Sequence, residues 1–427
     1  MIIGLAGIFP FLFQGFSPLK KTATDQALAY LVFFTDKNGT SFDPHAYFAP
    51  EAIARRVLNG ISLFDSSDFP VNEKYLTAVG KIVDTLGYST RWFNGVGVVA
   101  TEKQAAQLRA LPFVREVVPQ VMLVWTPAMI PDTVLEDLNG DERSVHMQIS
   151  PLEGQRFEKD NKNGSGIIIA VLDAGFQGTD DHEAFAHLRF NNRIKATYDF
   201  VRNDSDVYNG KTDHGTMVLS CIGGKVNGTS MGLATASDFL LARIAKEYGN
   251  EYRGEENFLA AIEWADKLGA KIVNCSGGPG EGSYFPEQMN GKIPLISRAS
   301  NMAARKGILV VAAAGNLGQS MKNRCLLPPS DADSVLSVTA VNDRGFATRY
   351  SSHGPTPDFR KKPDVCAPGT AIVASAWGDY SVGEGTSFAA PLISGFAACV
   401  LQLYPGITPL QLIDTLRRCS SHFPYFD

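Results

Sequence analysis

Four polar residues stand where short apolar runs end or begin, and their types suit acyl transfer. Asp173 closes Ile167-Ile168-Ile169-Ala170-Val171-Leu172 and is followed by Ala174-Gly175. His214 sits in Asp213-His214-Gly215-Thr216, at the head of a run of small and apolar residues. Asn316 closes Ala312-Ala313-Ala314-Gly315. Ser387 lies in Gly385-Thr386-Ser387-Phe388-Ala389-Ala390-Pro391, at the mouth of an apolar run to Tyr404. A serine hydroxyl becomes a useful nucleophile when a neighbouring base takes its proton. An imidazole with an ordinary pKa of about 6.5 can take that proton and return it. A carboxylate at the end of an apolar strand is costly unless something pairs with it, and orienting a histidine is such a pairing. A side-chain amide can donate to a tetrahedral oxyanion, a contribution of roughly 10²–10³ in kcat. The first-turn N–H groups of a helix behind Ser387 would add donors and a favourable dipole.

Each piece has a plainer reading. Asp173 caps a loop, Thr386-Ser387 caps a core helix, and Asn316 occupies a turn, where asparagine is common. His353, in Ser351-Ser352-His353-Gly354-Pro355, is the rival histidine, in a context that reads as a turn with an exposed ring. His182 and His187 follow two aspartates and read as part of a surface loop, with a surface metal as the alternative.

The elements that must position these groups are legible from residue 150 onward. Ile167–Leu172, Phe239–Ile244, Lys271–Val273, Ile308–Ala314 and Val335–Val341 are apolar, mostly β-branched and bounded by Gly, Asp or Asn. Helical patterns lie between them, at His214–Cys221, Asn257–Lys267 and Ile296–Arg305. Such alternation predicts an α/β fold, a parallel sheet covered by helices on both faces. Sites in these sheets lie beyond the carboxyl ends of the strands, where Asp173, Asn274 and Asn316 fall. Residues 28–120 read as a small α+β unit: strands at Ala29–Phe34, Val96–Ala100 and Val114–Val118, with a helix from Thr101-Glu102 to Leu108, arranged as a split βαβ unit. Residues 120–145 are mixed, acidic and Pro-containing, and read as a linker.

The order Asp173, His214, Asn316, Ser387 and the local contexts resemble the subtilisin-like serine peptidases (subtilase family, S8). Val171-Leu172-Asp173-Ala174-Gly175, His214-Gly215-Thr216 and Gly385-Thr386-Ser387-Phe388-Ala389-Ala390-Pro391 look like that family's aspartate, histidine and serine motifs. Similarity extends to Ile262-Glu263-Trp264-Ala265, Asn274-Cys275-Ser276-Gly277-Gly278 and Pro363-Asp364-Val365-Cys366-Ala367-Pro368-Gly369. The resemblance implies a subtilisin-like sheet over 150–427 and a secreted or periplasmic serine endopeptidase. Ser387 would be the nucleophile, His214 the base, Asp173 its orienting partner and Asn316 the oxyanion donor. It also implies an extended peptide substrate against the backbone near Ser276, Gly277 and Gly278, near Ile244 to Tyr248, and beside Ala313, Ala314 and Gly315. Gly277 and Gly278 suggest room for a sizeable apolar side chain.

Residues 24–120 then resemble an inhibitory, ferredoxin-like propeptide. The linker at 121–149 would carry the processing site, and the chain would be a zymogen whose own propeptide is its intramolecular inhibitor. A catalytically silent relative acting as a binding module is the alternative. An esterase of the α/β-hydrolase type is disfavoured by the absence of a G-x-S-x-G elbow. The chain ends at Asp427, where relatives usually continue through a Gly-rich closing segment.

Composition sets the remaining bounds. With 44% hydrophobic and 19% charged residues over 427 positions, the chain is that of a globular protein. A net charge of -5 gives no argument for nucleic acid or a membrane surface as partner. Residues 2–13 are apolar but too short to span a bilayer, and 1–17 read as a signal peptide lacking a basic start. The six cysteines show no metal-ligand spacing and no C-x-x-C, so no disulfide framework is expected, though one bridge is left open. Cys275, Cys366 and Cys399 read as small buried thiols. No cofactor is required by this reading. A structural calcium ion is an option at the acidic stretch Asp199 to Asp206, with a solvated loop as the alternative.

Overall fold

Ile168–Asp173 is apolar until its last residue, and in the computed structural model it forms a central strand (β5). The structure describes residues 27–121, 142–210, 212–246, 253–280, 282–320 and 325–420. The signal-peptide segment and the middle of the linker therefore lie outside the described residues. Beside β5 run β6 (Ile194–Asp199), β7 (Asp238–Arg243), β8 (Ile272–Cys275), β9 (Leu309–Ala313), β10 (Val335–Val341) and β11 (Val365–Pro368). They pair in the order β11-β10-β9-β8-β5-β7-β6, all parallel. The pleat sends alternate side chains to opposite layers. Ile169 and Val171 pack with the helices His214–Gly223 and Thr386–Leu403, while Ala170 and Leu172 face the helices Gly254–Lys267 and Leu295–Arg305. Strand order reverses direction beside β5, so Asp173, Ser276 and Asn316 share the crevice beyond the strand ends.

The serine helix, Thr386–Leu403, is apolar nearly all round because it is buried nearly all round. Length and apolarity alone would let it cross a membrane, but here it is the core helix of the sheet. Its one buried polar side chain toward β8, Ser394, donates to Asn274 Oδ1 at 2.8 Å. Asn274 is thereby structural: its amide also donates to Ser276 Oγ at 2.9 Å. The expected linker ends early, because the helix Glu142–Ile149 buries Val145 and Ile149 in the core of the large unit. Gln148 then bonds Met231 O at 2.6 Å and the Ile372 N–H at 2.9 Å.

The N-terminal unit has strands β1 (Leu28–Phe34), β2 (Thr85–Thr90), β3 (Gly95–Ala100) and β4 (Val114–Pro119), antiparallel in the order β2-β3-β1-β4. With helices Glu73–Gly80 and Glu102–Arg109 this is a ferredoxin-like βαββαβ arrangement, including a strand, β2, that the sequence pattern does not announce. Tyr30, Val32 and Phe34 face the unit's own core, while Leu31 and Phe33 pack against the layer of the Gly254–Lys267 helix.

Candidate active site

The loop after β5 and the start of the histidine helix meet backbone to backbone. A Cβ at Gly215 would lie 2.5 Å from the Gly175 carbonyl oxygen, so glycine is required for this approach. The Gly215 N–H donates to that same carbonyl at 2.9 Å. This contact brings His214 Nδ1 to 2.7 Å from Asp173 Oδ1, with both side chains buried. The Asp173 Oδ1 also accepts the Ala174 N–H at 2.7 Å, whereas its Oδ2 has no hydrogen-bond partner among the described residues. A fully buried carboxylate with a bare oxygen is costly, and a loop cap alone gives no reason to keep it. Arg243, which nothing in its local sequence marks out, steadies the loop from below: Nε donates to Ala174 O at 2.8 Å and Nη1 to Asp199 Oδ2 at 2.7 Å.

Ser387 is the second residue of its helix, buried, and its hydroxyl donates to the Ser276 carbonyl at 2.6 Å. Thr386 is not a helix cap, contrary to the plainer reading. Its N–H and its hydroxyl both donate to Asn316 Oδ1 at 3.0 Å, and the hydroxyl accepts the Gly315 N–H at 3.1 Å. With the carbonyl end of the Asn316 side chain claimed twice, its NH₂ end must point away from Thr386. The sequence holds this signal in the Gly-Thr-Ser triplet, but only proximity to Asn316 makes it readable.

The expected substrate-binding residues separate into two groups. Ser276, Gly277 and Gly278 follow β8, and Ala313, Ala314 and Gly315 end β9, so both segments border the crevice. Ile244 is buried, and its carbonyl accepts one hydrogen bond from Asn257 Nδ2 at 3.1 Å. Tyr248 lies outside the described residues. Two of these glycines lie close to a neighbouring segment. A Cβ at Gly278 would lie 2.4 Å from the Pro328 carbonyl oxygen, and one at Gly315 would lie 2.7 Å from Leu327 Cγ. Leu327 thus lies against the segments that follow β8 and β9, buried with Tyr284 and Met289. Those two come from the polar segment after β8, which reaches the crevice instead of being a surface excursion.

The N-terminal unit also arrives here. Val121, its last described residue, packs on the Tyr284–Met289–Leu327 cluster. Burial raises the Glu255 carboxyl above its usual range, opposed by hydrogen bonds from Tyr284 and from the backbone of Leu295 and Val121.

The other titratable candidates stand apart. His353 is exposed, its Nδ1 3.3 Å from Ser351 O, as a turn residue should be. His182 is buried, not part of a surface loop: Nδ1 accepts the Ala184 N–H at 3.0 Å and Nε2 lies 3.0 Å from Asp379 O. His187 Nε2 bonds Gly223 O at 2.9 Å, and burial lowers its pKa to about 4. Among the described residues no group of three or more His, Cys, Asp or Glu side chains is placed to hold a metal ion. In the acidic stretch, Asp199 is buried against Arg243, and Asp206 caps the Tyr208 and Asn209 N–H groups. All six thiols are unpaired; Cys221, Cys275 and Cys399 are buried, Cys366 is half-buried and Cys419 exposed.

Residues 164–422, well over half of the chain, match the family model described as Subtilase family. The protein belongs to the subtilase family. It is a serine peptidase, a hydrolase of peptide bonds, with a propeptide: residues 29–128 match the model described as Peptidase S8 propeptide domain, Bacteroidota. This subtilase is 28% identical over 283 residues to the subtilisin of Bacillus pumilus, a match covering 66% of this chain and 93% of that one. It is 28% identical over the same length to subtilisin E of Bacillus subtilis, covering 66% and 67% of the two chains. Among solved structures, fervidolysin from Fervidobacterium pennivorans shares the fold at a TM-score of 0.62 and 21% identity, covering 92% of this chain and 57% of that one.

Proposed function

We propose that this subtilase is a secreted serine endopeptidase that cleaves through Asp173, His214 and Ser387, and that it is made as a zymogen. The observation that carries the reading is the buried 2.7 Å contact between Asp173 and His214, with a serine and a pre-oriented amide across the same crevice. Asp173 holds the Nδ1 proton, leaving Nε2 as the base. The Ser387 hydroxyl has one proton and gives it to Ser276 O at rest. A peptide N–H that claims the Ser276 carbonyl would release that proton toward His214. Ser387 Oγ then attacks the carbonyl, and His214 returns the proton to the leaving amine as the acyl-enzyme forms. Water attacks the acyl carbon with the same base, restoring Ser387. The Asn316 amide and the Ser387 N–H face the developing oxyanion. Calcium plays no part in these steps. The N-terminal unit keeps the enzyme inhibited until the connection between the two units is cut within 120–145.

Asn316→Ala tests the oxyanion assignment: kcat falls roughly 10²–10³-fold with KM nearly unchanged. A loss below about tenfold would remove Asn316 from that role. Leu327 sets a second expectation. With its side chain against Gly278 and Gly315, small P1 residues are favoured, and peptide anilides ending in Ala outperform those ending in Phe by about tenfold or more in kcat/KM. Leu327→Gly reverses the order. An unsubstituted enzyme that prefers Phe would refute this filling of the pocket.

A further inference from the structure

The last residues of β6, β7 and β5 form one rung of charge. Asp199, Arg243 and Asp173 are direct partners across the three strands, so the pleat sends their side chains to the same face. All three are buried. The order is anion, cation, anion, on strands about 4.8 Å apart, which puts both carboxylates within reach of the guanidinium. Arg243 takes Asp199, with Nη1 donating to Oδ2 at 2.7 Å, and turns Nε to Ala174 O at 2.8 Å. Arg202 Nε approaches the same Asp199 oxygen at 3.9 Å. Asp173 Oδ2, on the other side of the arginine, has no hydrogen-bond partner among the described residues.

A guanidinium and a carboxylate match as a two-pronged pair, which is stronger than a bond to a backbone carbonyl. Asp173 would be a good partner, because little around it offers a counter-charge. His214 at 2.7 Å is neutral until it takes the serine proton, and the nearby Cys275 thiol is pushed up to about 12 by burial, with the Asp173 charge adding to the rise. Asp199 is held in place to win the arginine instead. Its Oδ1 accepts the Val201 and Arg202 N–H groups at 2.8 and 2.9 Å, and its own N–H donates to Asp204 O at 2.8 Å. The Phe200 N–H donates to Arg243 O at 2.8 Å and ties the two strand ends together. Two carboxylates and one guanidinium leave one negative charge on the rung. That charge is matched when His214 becomes imidazolium.

We propose that Asp199 is a positioning residue for the reaction: it holds Arg243 away from Asp173, so that the Asp173 charge stays available to the imidazolium. The inference rests on the reading of Asp173, His214 and Ser387 as the reacting groups. An Arg243 released from Asp199 turns to the bare Asp173 Oδ2. The Asp173–His214 contact survives, but a cation beside that carboxylate opposes a second one on the ring.

Two variants of the full chain test this, each assayed for kcat, KM and the pH dependence of kcat/KM. Asp199→Asn keeps an oxygen for the Val201 and Arg202 N–H groups but sets an uncharged NH₂ against the guanidinium. It should lower kcat by on the order of 100-fold, part of the roughly 10⁴-fold that loss of a triad carboxylate costs, with KM nearly unchanged. The acidic limb of kcat/KM should move about one pH unit lower, because imidazolium is disfavoured. Asp199→Asn combined with Arg243→Gln removes the cation as well and buries no unpaired charge. It should regain about tenfold or more in kcat and return the limb to its parental place. Circular dichroism reports folding, and if the single variant does not fold, the double one is compared with the parent directly, from which it should differ by about tenfold at most. A purely structural ion pair predicts losses that accumulate while the limb stays in place. A limb unmoved in folded Asp199→Asn, or a folded double variant about 100-fold or more below an active parent, would overturn the proposal and leave the triad reading standing. A parent that neither turns over peptide nor takes up a fluorophosphonate probe would overturn both.

Discussion

His214→Ala is expected to lower kcat on peptide substrates by on the order of 10⁶-fold, the loss seen for the matching change in subtilisin. The imidazole is buried between the Asp173 carboxylate and the Phe388 ring, whose centroid is 6.1 Å away, and no other described histidine is placed to replace it. His353 is exposed, and His182 and His187 are engaged with backbone groups elsewhere. The substrate edge proposed along Ser276–Gly278 does not involve the ring, so KM should change little. The double change with Ser387→Ala should be no worse than either alone, because base and nucleophile act as one unit. Measuring kcat and KM for the three variants decides the matter. A loss under about 100-fold, or additive losses, would place the base elsewhere.

Asp173→Asn is the second large effect, about 10⁴-fold in kcat near neutral pH. The substitution keeps an oxygen that can accept the Ala174 N–H, now 2.7 Å from Oδ1, so the loop should hold its place. That oxygen also faces His214 Nδ1, so what the substitution removes is the negative charge that favours imidazolium as the proton is taken. The unpartnered Asp173 Oδ2 carries a further consequence. Removing a buried charge with a bare oxygen should leave the melting temperature unchanged or higher while activity collapses. Melting and turnover measured on the same preparation separate the two. A variant that loses stability in proportion to activity would mark Asp173 as structural.

The parallel sheet was legible because its strands are buried on both faces and so read as unbroken apolar runs. Val335–Val341 has the bounds its pattern predicts, and the other four runs shift by one or two residues. β6 escaped because Ile194–Asp199 is an edge strand, half-exposed and interrupted by Lys195. β2 escaped because Gly87 breaks its pattern, and the reason lies in another unit: a Cβ there would lie 1.9 Å from Arg253 Nη2. The candidate reacting groups stood out by type and local context. Their supports were not, because Thr386, Arg243 and Leu327 act through contacts with distant segments. The buried pair of Arg55 with Asp266 is hidden for the same reason, since neither residue stands out in its own helix.

Intact mass is the most direct test of the central claim, measured on the full-length protein and on Ser387→Ala, each with and without a fluorophosphonate probe. The parent chain should take up one probe and yield a product that begins within residues 120–145. Ser387→Ala should remain full length and unlabelled. A parent chain that also stays full length and unlabelled would contradict Ser387 as the nucleophile of a self-processing peptidase and favour a catalytically silent binding module.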